Sequence, residues 1–386
     1  MPRRHWLSLP FTLGGLVVAC SIDELPQNTN TTGSGGVAGT DASAGMAGAI
    51  GGGTGAADSG CALANCSGEC VDLSTSDAHC GACGHDCLGS ACSDGLCAPV
   101  SVDSNTGARY YGLLLKSGTL YYQRASQLCA AAADVPATCT PVMTGLAGTG
   151  LHIVANANSV YVREADNLWR VDPSSGLQTP ALDTSVTAIT ADDDYVYYLK
   201  TNVGLLRQPT AGGAPFTLAA PTPPANDFFA SVLATDGSFV YYFVYNGGDV
   251  FRVPSAGGAP APFSFGTIAT GGASVSGGYL YWTPAAGPRR APLTTGNPEN
   301  LAPVGVSLDL CNSPSVVGDH LYWGERGPDA TDTGRVWRRS LATGSALLLA
   351  HALDHVVGVV IDGPWVYFTV MGLTNPNNGG VFRVAR

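Results

Sequence analysis

Lysine is nearly missing from this chain: Lys116 and Lys200 are the only two in 386 residues. Aspartate and glutamate outnumber lysine and arginine by 29 to 18, a net charge of −11. A protein that grips nucleic acid needs clustered cations to displace counterions from phosphates, so no nucleic-acid partner is expected. Charged residues of both signs make up only 12% of the sequence, which leaves little material for long solvated helices. The 51 glycines and 25 prolines favour many short strands joined by turns instead. Catalytic signatures are missing as well: there is no GxSxG elbow, no Walker loop and no Rossmann glycine fingerprint. Without a nucleophile paired to a base, the expectation is a protein that is not an enzyme and has no cofactor.

The N-terminus reads as a targeting segment. Arg3 and Arg4 precede an apolar stretch from Trp6 to Val18, too short to span a bilayer as a stable helix. Val17, Val18, Ala19 and Cys20 close it, and this ending resembles the lipobox of bacterial lipoprotein precursors. The resemblance implies cleavage before Cys20 and a diacylglyceryl group on its thiol. Stable attachment takes more than one acyl chain, which diacylation plus N-acylation supplies. Residues 1–19 are then the signal peptide, and the membrane is a partner through the lipid. Loss of Arg3 and Arg4 leaves 16 basic against 29 acidic residues, −13 in all. By resemblance to enteric sorting rules, Ser21 after the cysteine implies an outer-membrane destination in the cell envelope.

Residues 20–59 consist mainly of Gly, Ala, Ser, Thr and Asn, too polar and small to offset their ordering entropy, and are expected to be a disordered tether. A flexible chain of about 40 residues reaches on the order of 35 Å. Residues 60–97 then carry eight cysteines: Cys61, Cys66, Cys70, Cys80, Cys83, Cys87, Cys92 and Cys97. Zinc knuckles want paired CxxC spacings, and only Cys80 and Cys83 have one. Export to an oxidising compartment favours disulfides, which supply the stability that so small a core cannot. The pairing is not readable from spacing, and His79 and His85 are read as ordinary loop residues. The run CVDLSTSDAHCGACGHDC resembles a cysteine-rich module of secreted proteins from predatory and social bacteria.

After residue 97 one unit recurs. Seven short strands centre on Tyr121, Tyr161, Tyr197, Tyr241, Tyr281, Tyr322 and Tyr367, at intervals of 40, 36, 44, 40, 41 and 45 residues. Turn formers such as Asp192 and Asp236-Gly237 precede these strands and tolerate the positive φ of tight hairpins. Farther on come Trp169-Arg170, Leu206-Arg207, Phe251-Arg252, Trp337-Arg338 and Phe382-Arg383, which mark a partner strand. The Tyr strands are apolar on both faces, as in Val240-Tyr-Tyr-Phe-Val244, so each sheet must be covered on two sides. A ring of four-stranded blades does this, and a 40 to 45 residue period is its signature. The predicted fold is therefore all-β, a seven-bladed β-propeller over residues 98–386, with six or eight blades as alternatives and a β-solenoid as the other repeat architecture.

The segments LYWTPAAGPRRAPLTTG and LYWGERG resemble YWTD-type propellers, similar in class to those of the low-density-lipoprotein receptor. Pro284 stands where that family places Asp, and the family has six blades, so the likeness implies the fold class and no ligand site. The last repeat stops at Arg386 one strand short, which predicts that residues 98–103 supply the missing strand and close the ring. Cys129 and Cys139 lie at hairpin distance and are expected to pair, leaving Cys311 without a partner.

In this connectivity, the loops between blades and those between second and third strands gather on one face. Asn226, Asp227, Asp309, Asn312, Asp354 and His355 fall in the inter-blade connections and are the candidate ligand face. The loops Tyr245–Asp249, Gly324–Arg335 and Met371–Gly380 flank them. His351 and His355 have the spacing of helical zinc ligands but lie among strand residues, so no metal is expected there. Asp329, Asp332 and Gly334 hint at calcium. The leading functional expectation is a non-enzymatic envelope lipoprotein whose propeller binds a protein or a glycan. The rival is a metal-dependent propeller hydrolase or lyase similar to lactonases, which would need Asp227, Asp309, Asn312 and Asp354 to converge on calcium. A purely structural envelope protein is the third reading.

Overall fold

The protein is described from a computed structural model, over residues 63–133, 138–147, 151–173, 182–220, 233–244, 249–264, 269–284, 287–301, 313–327 and 332–386. Cys20, the leader, the tether, Cys61 and Cys311 lie outside these residues.

Seven four-stranded antiparallel sheets form the blades of a propeller. Blade 1 runs from Tyr110 to Thr144, blade 2 from Leu151 to Thr184, blade 3 from Val186 to Ala219 and blade 4 from Leu233 to Ser264. Blade 5 runs from Ala269 to Asn300 and blade 6 from Ser315 to Leu353. Blade 7 takes three strands from Val356 to Ala385, and its fourth is Val100–Asp103. That strand pairs with the last one through Val381↔Asp103, Phe382↔Ser101 and Arg383↔Val100. The two ends of the propeller thus close the ring, in the segment the repeat count required.

The repeated tyrosine explains how blades stack. Its strand is second in each sheet, and successive side chains point to opposite faces. Tyr121 packs with Val160 and Val162 of blade 2, Tyr161 with Val196 and Tyr198 of blade 3, and Tyr197 with Val240 and Tyr242 of blade 4. Tyr241 meets Leu280 and Trp282, Tyr281 meets Leu321 and Trp323, and Tyr322 meets Val366 and Phe368. Tyr367 then meets Leu120 and Tyr122 of blade 1, completing the circle. Each interface therefore follows one rule: the central tyrosine faces the next blade and its two neighbours face the previous one. Fully burying each large apolar side chain contributes about 1.5–3 kcal/mol.

The first strands crowd around the axis, where bulk is restricted. A Cβ on Gly358 would lie 2.6 Å from the Leu113 Cβ of the next blade. Polar side chains there bond across blades: Ser274 Oγ donates to Pro314 O at 2.6 Å, Ser315 Oγ to Val359 O at 3.0 Å, and Thr369 Oγ1 to Gly112 O at 3.2 Å.

The hairpin turns differ in part from the expectation of positive φ. Gly118, Gly237, Gly278 and Gly363 adopt it. Asp192, Asp236 and Asn156 instead use a side-chain oxygen to accept backbone N–H groups within the turn, as when Asp236 Oδ1 accepts from Ser238 at 2.8 Å. The second oxygen of Asp192 or Asp236 takes the hydroxyl of the repeat tyrosine, Tyr197 at 2.8 Å and Tyr241 at 2.9 Å. Turn chemistry and interface chemistry are one device in these blades. In register with the tyrosine sits the repeat arginine, Arg207 or Arg252. Each stacks on an aromatic of its own blade and donates to a carbonyl of the next blade, Ser255 O or Leu293 O.

The cysteine-rich segment has disulfides Cys66–Cys83, Cys80–Cys92 and Cys87–Cys97, and Cys70 is disulfide-bonded too. The sulfurs of Cys80, Cys87 and Cys97 lie within 4.8 Å of one another, but a bonded sulfur offers no thiolate to a metal. Cys129–Cys139 links the third strand of blade 1 to its fourth-strand connection. The segment packs onto the propeller, where Cys80, Cys87 and Cys97 share a cluster with Leu349 of blade 6 and Val384 of blade 7. His85 is not an ordinary loop residue. It is buried, with Nδ1 2.6 Å from Cys80 O and Nε2 3.3 Å from Ala385 O, at the seam between segment and ring.

Candidate functional site

The face where inter-blade connections meet the loops between second and third strands is defined by backbone bonds that recur around the ring. Leu146 N donates to Ser126 O, Val186 N to Asp166 O, Thr201 N to Ser185 O and Met371 N to His355 O. Each joins a connection entering or leaving a blade to that blade's second-to-third strand loop. The expected gathering of these loops is therefore physical. We call this the upper face.

Asp354 and His355 lie on it, in the connection from blade 6 to blade 7, and their side chains have no exposure. His355 adopts φ 67°, which turns the chain sharply between the two blades. Its Nδ1 lies 2.6 Å from Asp354 Oδ1. The aspartate also accepts from Thr374 N at 3.1 and 2.9 Å and from Asn375 N at 2.8 Å. Burial opposes the charge on Asp354, but the Asn375, His355 and Thr374 hydrogen bonds outweigh it and hold the carboxyl below its ordinary range. Both carboxylate oxygens are thus engaged within the protein. The pair pins the Met371–Gly380 loop, and Thr374 Oγ1 extends the network to Asp332 Oδ1 at 3.0 Å. Asp332 here serves a loop-to-loop bond. Asn226, Asp227, Asp309, Asn312 and Asp329 lie outside the described residues, as does most of the Tyr245–Asp249 loop. His351 is exposed on the outer strand of blade 6, whereas His355 is buried.

Two other charged groups on this face were not singled out by motif. Glu325 ends the second strand of blade 6 and is 2% exposed. Burial pushes its carboxyl up, against the indoles of Trp337 and Trp323 and the charge of Arg335, whose Nη1 is 3.8 Å away. The second is Arg163, near the end of the corresponding strand in blade 2, also 2% exposed. Its Nε and Nη1 have no hydrogen-bond acceptor among the described residues. It stands two residues past Tyr161, where the other repeats carry Gln123, Leu199, Phe243, Thr283, Gly324 and Thr369. Aligning the repeats on their tyrosines would have exposed it: a full charge at a position that is otherwise uncharged and buried.

On the opposite face, a shallow cavity of about 400 Å³ lies between blades 3 and 4 beside Asp192, Asp193, Tyr197 and Arg207. Asp192 is committed to its turn and to Tyr197, and Asp193 Oδ1 accepts from Ala157 N at 3.2 Å.

No family model and no curated relative matches the sequence. Solved structures do resemble the fold. The chain is similar to the computationally designed Ika8 protein, at 14% identity and a TM-score of 0.50, over 74% of this chain and 99% of that one. It is similar to U3-55K at 8% identity and a TM-score of 0.52, over 75% and 98%. PorZ, a bacterial surface component of the type-IX secretion system of Porphyromonas gingivalis, aligns at 14% identity and a TM-score of 0.50. That match spans 72% of this chain and 37% of PorZ, so this chain corresponds to about a third of that protein's length. At these identities the likeness is one of fold.

Proposed function

We propose that the chain is an envelope-anchored, non-enzymatic lipoprotein whose propeller is a binding module for a protein or glycan of the cell envelope. The observation that carries this reading is the closed ring. Seven blades bring connections far apart in sequence onto one upper face, and rigid scaffolds that gather loops in this way are where recognition surfaces are built. The acid and base pair one would first suspect of catalysis, Asp354 and His355, is sealed and spent on positioning a loop. A lactonase-like site would need Asp354 to turn an oxygen toward calcium, and its oxygens already take backbone N–H groups. Anchoring through Cys20, and a YWTD-like ancestry for the ring, belong to the same proposal. PorZ, part of which matches this fold, is a bacterial surface component.

The test is a pull-down with the purified chain against envelope extract and a glycan panel, with and without calcium. Capture of a defined protein or glycan irrespective of calcium is the expected result. Turnover of a lactone or ester probe that depends on calcium would replace this reading with the hydrolase.

A further inference from the structure

Arg163 is a charged group on the upper face with buried donors that meet no acceptor among the described residues. It lies in the second strand of blade 2, directly opposite His152 on the first strand and Leu168 on the third, so the three side chains share a face of the sheet. That face packs on blade 3: Leu168 and Tyr161 cluster there with Val186, Ile189 and Tyr198. A guanidinium has therefore been placed at the upper end of an apolar interface, with only 2% of the residue exposed. Its Nε and Nη1 are buried without an acceptor. Leaving buried donors of a charged group unmet costs more than leaving those of a neutral group unmet. Arg207 and Arg252, the repeat arginines of blades 3 and 4, by contrast donate to carbonyls of the next blade.

The neighbouring groups define what could meet those donors. Glu164 does not: its Oε1 takes the N–H of Ala147, in the connection arriving from blade 1. His152 supplies no competing charge, because desolvation first and repulsion from Arg163 second push its imidazole down to about 3. Burial pushes Arg163 down to about 10, with Asp166 and Glu164 opposing, so the guanidinium keeps its charge at neutral pH. On the first strand of blade 3, Thr187 has a buried Oγ1 that also lacks a partner among the described residues.

We propose that Arg163 is an anion-binding residue of the upper face, which takes the carboxylate of a small monoanionic ligand. A planar carboxylate matches the guanidinium fork. A dianionic phosphate is disfavoured, because Glu164 and Asp166 already surround the single cation with two negative charges. The deep burial restricts the anion to a small one. This proposal rests on the binding-module reading and names one chemical group that the face recognises.

The test uses the purified full chain in thermal melts with sodium acetate and sodium pyruvate, each against sodium chloride and sodium phosphate at equal ionic strength. Saturable stabilisation by the two carboxylates of about 2 °C or more, absent with chloride and phosphate, is expected. The Arg163→Gln chain, checked for an unchanged far-ultraviolet spectrum, should lose it. Should that variant not fold, wild-type crystals soaked in pyruvate give an independent readout, with density expected against Arg163 Nε and Nη1. Equal shifts in all four salts, a carboxylate shift that survives Arg163→Gln, or soaked crystals with no anion at Arg163 would overturn the proposal. Failure of this kind leaves the envelope pull-down untouched, whereas a pull-down without any partner leaves the carboxylate shift standing, so the two ideas fall separately.

Discussion

Asp354 and Arg163 are both charged, both almost fully buried and both on the upper face, yet the protein treats them in opposite ways. Asp354 accepts two backbone N–H groups and lies 2.6 Å from its histidine neighbour. Arg163 has two nitrogens with no acceptor among the described residues. A buried charge that is fully met holds a structure together, while one left unmet costs stability and calls for another explanation. The contrast separates a loop-fixing residue from a candidate ligand contact on a face where sequence alone put Asp354 and His355 among six candidates.

The sharpest way to break the comparison is to remove the aspartate. Asp354→Ala should destabilise the protein by about 3–5 kcal/mol, since it strands the N–H groups of Thr374 and Asn375 and leaves the buried His355 without its carboxylate. Chemical denaturation measures this. A loss under about 1 kcal/mol would mean that the network is dispensable, and Asp354 would return to the list of ligand contacts.

Much of the architecture was legible because it is written in periodicity. A tyrosine every 36 to 45 residues, flanked on both sides by apolar residues, demanded two covered faces per sheet. The missing final strand demanded one from residues 98–103, and Val100–Asp103 supplies it. The site was less legible for a physical reason. Composition marks Asp354 as a polar residue in a connection, but whether its oxygens are free depends on where Thr374 and Asn375 return, twenty residues later. His85 shows the same limit: its burial comes from contact with Ala385, three hundred residues away. Arg163 was visible in principle. Its signal is a departure from the repeat, which emerges only when the units are compared position by position rather than searched for known motifs.

The opposite substitution sharpens the comparison from the other side. Arg163→Met keeps the side-chain length and removes the unmet donors, so the unliganded protein should gain about 1–3 kcal/mol. Stabilising loss of a buried charge is characteristic of a residue kept for a purpose other than folding. If denaturation instead shows a loss of similar size, Arg163 is meeting acceptors inside the folded protein, and the contrast with Asp354 dissolves.

The smallest effect concerns His152, which burial first and the same guanidinium second keep neutral. Its imidazole titrates at about 3 in the folded protein against 6.5 when free. As pH falls below 6.5 the unfolded chain binds this proton and the folded one does not, so stability declines down to about pH 3 and then levels off. The group has no effect above that window, where both states are neutral. His152→Leu should therefore flatten the acid side of the stability curve relative to wild type. Because His152 is only partly buried, the gain near pH 4 should be roughly 1–2 kcal/mol, less than the full shift would equate to. Measuring the same difference in an Arg163→Met background then isolates the arginine's share: with the cation gone, the folded imidazole should titrate higher and the His152 effect should shrink. An undiminished effect would assign the shift to desolvation alone and remove His152 from the surroundings of the proposed carboxylate.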